Sequence, residues 1–392
     1  MLQFSELPPL GLYIHFPWCI RKCPYCDFNS HELKNELPEK AYVHALITDL
    51  EQELPAVWGR SIHSIFMGGG TPSLFSPESL DLLLSDLRAR LNFSADTEIT
   101  LEANPGTVEK QRFADYRAIG INRLSIGIQS FNDDHLVKLG RIHSAREAIR
   151  AAETAHDAGF TNFNLDLMYG LPNQTLQQAI NDIQTAIDLE PLHISHYQLT
   201  IEPNTWFHHH PPVTPNDDSL AEIETACRER LAKHDYRRYE ISAFTKNNMQ
   251  CKHNINYWLF GDYLGIGAGA HGKRTDAQQQ KIIRTHKQRH PQSYINAAIS
   301  GNPVAGQESP DQQNVIFEFM LNALRLTDGF DSALFQQRCG IPIHLIEDRL
   351  REAEQDELIE WELQRIMPTA KGMLYHNNLL ERFLPEKHDE KN

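Results

Sequence analysis

The 392-residue chain is 41% hydrophobic, enough for a large core and for one big domain with a smaller one. Its net charge of −15 argues against a nucleic-acid partner, and no apolar run approaches the ~20 residues of a membrane span. Six cysteines with three in one cluster do not make a secreted disulfide framework, and the start lacks a signal peptide's basic and apolar segments. The expected setting is therefore the cytoplasm, with no integral membrane span and at most transient membrane association.

From residue 10 to about 202, apolar β-rich runs alternate with helical patterns. Strands are predicted at LGLYIHF, SIHSIFMG, EITLEANP, NRLSIGIQS, NFNLDLMYG and HISHYQLTI. These runs are too continuously apolar for half-exposed antiparallel strands and fit buried parallel ones. Ser76-Pro77 reads as an N-cap and first turn, Ser144 with Glu147 as a capping box, and Gly120 and Gly159 as helix ends. Six strand-then-helix units predict an α/β fold, a partial (β/α)6 TIM-like barrel or an open sheet. Polar residues recur where the strands end: Cys19, then Gly68 to Thr71, Glu102 with Asn104, Gln129, Asp166, and Gln198 with Glu202. In α/β barrels that end carries the active site.

After the sixth strand, EPNTWFHHHPPVTPND reads as a loop whose His208 to His210 are solvated. A helix near 217–234 and a strand in YRRYEISAF follow. We divide the chain into a barrel (10–240), a segment with KHNINYW, a glycine-rich stretch and a connector (241–312), and a C-terminal winged-helix-like α+β module (313–385). The connector reading rests on the Gln, Lys, Arg and Pro content of 276–312; the module reading rests on helical stretches before a hairpin-like IEWELQRIMPTAKGMLY.

Cys19, Cys23 and Cys26 stand at C-x3-C-x2-C spacing, short enough to wrap one inorganic cluster. A cubane has four irons, so three thiolates leave one iron open for a small molecule. A zinc knuckle would need a fourth ligand, from His15 or His31, at less usual spacing. The run IFMGGGTPS ends the second strand without side chains, so a ligand can lie against bare backbone; it matches neither a dinucleotide fingerprint nor a P-loop.

The three-cysteine spacing, with Tyr25 before the last cysteine, resembles the radical S-adenosylmethionine (SAM) superfamily. That resemblance implies a 4Fe-4S cluster on Cys19, Cys23 and Cys26 with SAM on its open iron. Within the superfamily, GGGTPS, EANPG, RLSIGIQSF, LGRIH and NLDLMYGLP are similar to oxygen-independent coproporphyrinogen dehydrogenases and the related HemW family of heme chaperones. By resemblance, Tyr13, Gly69 and Glu102 contact SAM. Tyr25 shields the cluster loop, while Gly70, Thr71, Gln129, Arg141 and Asp166 line the same mouth.

Two features separate the groups. The dehydrogenase carries a fourth cysteine where this chain has Phe28, and has a longer N-terminal extension. KHNINYW matches the H-N-x-x-Y-W signature of HemW proteins. It implies heme as a ligand, with His253 offering an imidazole to iron, Tyr257 and Trp258 flat faces, and Asn254 an orienting group. Cys251 and His271 are alternative ligands; Lys281, Arg284, Lys287 and Arg289 are cations available to propionates or to a solvated face. The expectation is a heme chaperone serving apo-haemoproteins such as respiratory enzymes, rather than an enzyme of porphyrin synthesis, with SAM cleavage compatible with the complete cluster motif.

Overall fold

The six apolar runs form strands β1 (Leu10–Phe16), β2 (Ser61–Gly69), β3 (Asn92–Ala103), β4 (Arg123–Gln129), β5 (Phe163–Tyr169) and β6 (His193–Gln198) in a computed structural model, which describes residues 2–106 and 110–385. Each pairs in parallel with the next in chain order. Burial on both faces explains the largely apolar text: every residue of β4 is buried, and Leu12, Ile65, Leu101, Ile126, Leu165 and Ile194 are at 0% exposure.

Helices α1 (Glu39–Val57), α2 (Pro77–Arg90), α3 (Lys110–Ala118), α4 (Asp133–Lys138), α5 (Ala145–Asp157) and α6 (Leu176–Asp188) make the crossovers. The caps read from sequence form: the Ser76 side chain accepts from the Ser79 N–H, and both arms of the Ser144–Glu147 box are in place. Thr175 and Gln178 make a second such box at α6.

Next come α7 (Asp217–Ala232), β7 (Ala243–Thr245), α8 (Lys252–Trp258), β8 (Asp262–Ile266), β9 (His271–Asp276), β10 (Lys281–Lys287), α9 (Pro291–Ile299) and β11 (Val304–Glu308). β7 runs antiparallel beside β6, and β8 lies parallel on the free side of β1. β9, β10 and β11 extend that side as an antiparallel meander, and the short strand Arg237–Arg238 pairs antiparallel with β7 at the other edge, giving one mixed twelve-stranded sheet among the described residues.

The stretch 276–312 is thus not the connector expected from its composition. Its β10 buries Ile282 and Ile283, and its most inaccessible cation is neutralised by a distant helix. Lys287 Nζ lies 2.6 Å from Asp49 Oδ1 and 2.7 Å from Glu53 Oε1 on α1, and Tyr294 donates to Asp49 at 2.7 Å.

The C-terminal module holds α10 (Gln312–Ala323), α11 (Ser332–Cys339), α12 (Glu347–Gln355) and the hairpin β12 (Ile359–Glu362) with β13 (Arg365–Pro368), beside which Phe330–Asp331 adds a third short strand. Its core is continuous with Phe4, Phe260 and Ile282 of the main body. No helix among the described residues is long and apolar enough to cross a membrane.

Candidate functional site

The C-terminal ends of the parallel strands enclose a cavity of about 430 Å³. The loop after β1 brings Cys19, Cys23 and Cys26 to its wall as free, half-buried thiols. Each sulfur has a polar neighbour. Thr71 Oγ1 donates to Cys19 Sγ at 3.5 Å, Arg141 Nη1 to Cys23 Sγ at 3.6 Å, and Ser30 Oγ lies 3.5 Å from Cys26 Sγ. Burial pushes the Cys19 thiol up to about 11 against the Thr71 contact, and raises Cys26 as well. Thiols in that state hold their protons until a metal displaces them.

The glycine run has two roles. Gly69 and Gly70 line the cavity with backbone, yet they are also needed for packing. A Cβ on Gly69, whose φ is 107°, would stand 2.3 Å from the His15 ring; one on Gly70 would stand 2.5 Å from the Trp18 carbonyl oxygen. Only bare backbone lets the cysteine loop close onto the end of β2.

Two half-buried carboxyls line the same cavity. Glu102 accepts from the Gly69 N–H at 3.0 Å. Burial and the charge of Asp166 push it up to about 8. Asp166 is raised too, chiefly by burial, while accepting from Ser125 Oγ at 3.0 Å and Asn164 Nδ2 at 2.8 Å. Arg141 Nη2 donates to Asn104 Oδ1 at 2.6 Å and to the Gly127 carbonyl at 2.8 Å, leaving its buried Nε without a partner. Gln129 takes a φ of 70° at the end of β4 and accepts from the Tyr197 hydroxyl at 2.8 Å. Tyr25 lines the cavity and packs on Phe207. The expected mouth residues are thereby gathered, Tyr13 excepted.

Tyr13 lines a second cavity of about 590 Å³, which shares Asp27, Phe28, Gly69 and Glu102 with the first. Tyr257, Tyr263, His271, His286 and Arg289 line its other sides. The H-N-x-x-Y-W residues form α8, and of the four only Tyr257 reaches a cavity wall. His253 is 1% exposed, with Ser64 Oγ 3.0 Å from Nδ1 and the Tyr257 hydroxyl 3.2 Å from Nε2. The imidazole is packed in this structure. Trp258 lies under Arg325 at 4.3 Å, facing the C-terminal module, and Asn254 lines neither cavity. Cys251 is fully buried with its thiol 3.5 Å from Glu98 Oε1. Arg284 is engaged by Glu318 and by the Tyr263 hydroxyl at 2.9 Å, and Lys281 is exposed. The sequence reading missed His286 and Tyr263; the hairpin register that sets His286 beside His271 was the signal, hidden inside the presumed connector.

The radical SAM superfamily model matches residues 13–186 and the HemN C-terminal domain model matches residues 311–375. The chain is 48% identical to heme chaperone HemW of Escherichia coli strain K12 over 386 residues, covering 97% of this chain and 100% of that one. The chain belongs to the HemW family. Other HemW proteins are similar along their whole length: 47% identity over 386 residues in Haemophilus influenzae, covering 97% and 100%, and 34% over 385 residues in Bacillus subtilis, covering 95% and 99%. Among solved structures, coproporphyrinogen III oxidase (HemN) from Escherichia coli superposes with a TM-score of 0.80 at 23% identity, covering 96% of this chain and 90% of that one. That likeness shows the fold: a radical SAM TIM-like α/β barrel with a small C-terminal module. Membership of HemW in this superfamily implies a 4Fe-4S cluster and SAM as cofactors.

Proposed function

We propose that this chain binds heme and passes it to apo-haemoproteins, such as respiratory enzymes, on a scaffold that holds a 4Fe-4S cluster and SAM. The carrying observation is end-to-end identity of 48% with a protein named as a heme chaperone. Cys19, Cys23 and Cys26 are the thiolates for the cluster. All three line one cavity, with Thr71, Arg141 and Ser30 beside their sulfurs, and three thiolates on a cubane leave one iron open for SAM.

Gly69, Gly70, Thr71, Glu102, Gln129, Arg141 and Asp166 would hold SAM or a neighbouring ligand, with Tyr13 behind them. SAM's ammonium suits the Glu102 carboxyl, and its carboxylate suits a donor such as the guanidinium of Arg141. When bound, the cluster supplies an electron able to cleave SAM. The chain's own part is to orient those groups and exclude water. The working compartment is the cytoplasm, where thiols stay reduced.

The role is carriage rather than turnover of a porphyrinogen. Anaerobically reconstituted protein is expected to bind hemin and to load an apo-haemoprotein, and to form no protoporphyrinogen from coproporphyrinogen III with SAM and reductant. Absence of hemin binding, or formation of protoporphyrinogen, overturns this reading.

A further inference from the structure

We infer that heme sits in the second cavity, with its iron taken by the His271–His286 pair and not by His253. This rests on the heme-binding reading above and names its site.

Iron needs an imidazole nitrogen with a free lone pair. Both His253 nitrogens have partners, and the ring is sealed between Phe66, Tyr13 and Tyr257. His271 and His286 instead face each other across β9 and β10, with exposed side chains and ring centroids 5.7 Å apart at 28°. Neither imidazole hydrogen-bonds to another described residue.

His286 stands opposite Gly306 of β11, where a Cβ would come within 2.3 Å of the imidazole. The glycine leaves room for the ring to lie over the third strand. The stacked pair can present one nitrogen to a metal while its neighbour flanks it.

Tyr257 and Tyr263 meet edge to face at 4.4 Å and give the cavity aromatic walls suited to a flat apolar macrocycle. Phe28, 58% exposed, stands where the two cavities meet. Arg289 adds an exposed cation at the edge, fit for a propionate, while Lys287 is spent on Asp49 and Glu53. In this arrangement His253 is a positioning residue: its Nε2 contact fixes the Tyr257 wall from behind.

The test is anaerobic hemin titration of the full reconstituted chain, read by Soret position and low-spin electron paramagnetic resonance. It compares wild type, His271→Ala, His286→Ala, the double variant and His253→Ala. Both hairpin histidines are surface-exposed, so cluster absorbance and circular dichroism should be preserved in the double variant. Its hemin affinity should fall about tenfold or more, and the imidazole-ligated signature should vanish and return on adding free imidazole. An unchanged spectrum and affinity in the double variant overturn the inference while leaving heme binding intact, as does loss of the signature in His253→Ala alone. A wild type that binds no hemin would instead remove the functional reading beneath it.

Discussion

Glu102 is the residue on which the cavity's electrostatics turn. Its folded value, pushed up to about 8 by burial and Asp166, lies above its ordinary value of 4.5. The raised carboxyl favours the fold fully below about pH 4.5 and loses that contribution as pH rises through about 8. Glu102→Gln should therefore flatten the fall in stability of the cluster-free protein over that window, measured by chemical denaturation at several pH values. A cation seated against Glu102 would drive off its proton. SAM binding near pH 7 should release about one proton, seen by calorimetry in buffers of different ionisation enthalpy, and Glu102→Gln should abolish the release. Gly70→Ala drives a methyl group into two backbone carbonyls, 2.5 Å from Trp18 O and 2.7 Å from Phe16 O. The expected cost is about 1–3 kcal/mol with poorer cluster loading, measured by unfolding and by iron content. At this scale the sequence was informative for the thiols and for the strand-end polar groups, because strand register forces such residues to one mouth. It does not say which face of α8 is turned inward, and the structure packs His253 there at 1% exposure.

At the scale of elements, the six parallel strands were legible because burial on both faces leaves largely apolar text, as in LGLYIHF of β1. The strands β10 and β11 were not. The buried charge of Lys287 in β10 is compensated by α1, a helix more than two hundred residues earlier, and composition carries no trace of that pairing. The pairing also makes a prediction. Lys287→Met leaves the Asp49 carboxylate buried without its cation and should cost about 3–5 kcal/mol, measured by denaturant unfolding. Adding Asp49→Asn to that variant should recover most of the loss, since the uncompensated charge is then gone. A pair that contributed only surface electrostatics would show less than about 1 kcal/mol in either case.

Across the whole molecule, the C-terminal module is legible as helices and a hairpin, but its dependence on the barrel is not. Phe4, Phe260 and Ile282 belong to its core, and Arg325 reaches back to Glu240 at 2.9 Å and over Trp258. Ending the chain after residue 310 should uncover Phe260 and Ile282, giving a protein that aggregates or melts at least several degrees lower, as read by light scattering and thermal unfolding. A truncated chain with unchanged melting would show the two bodies to be thermodynamically separate.

The partition between the cavities, built of Gly69, Glu102 and Phe28, has a further effect. Guests on its two faces would sense a common carboxyl and a common aromatic ring, so neither arrival is energetically private. By reciprocity, whatever factor one guest imposes on the other's dissociation constant is returned unchanged. Occupancy on the sulfur side would then tune how firmly the macrocycle is gripped, without a single bond between the two.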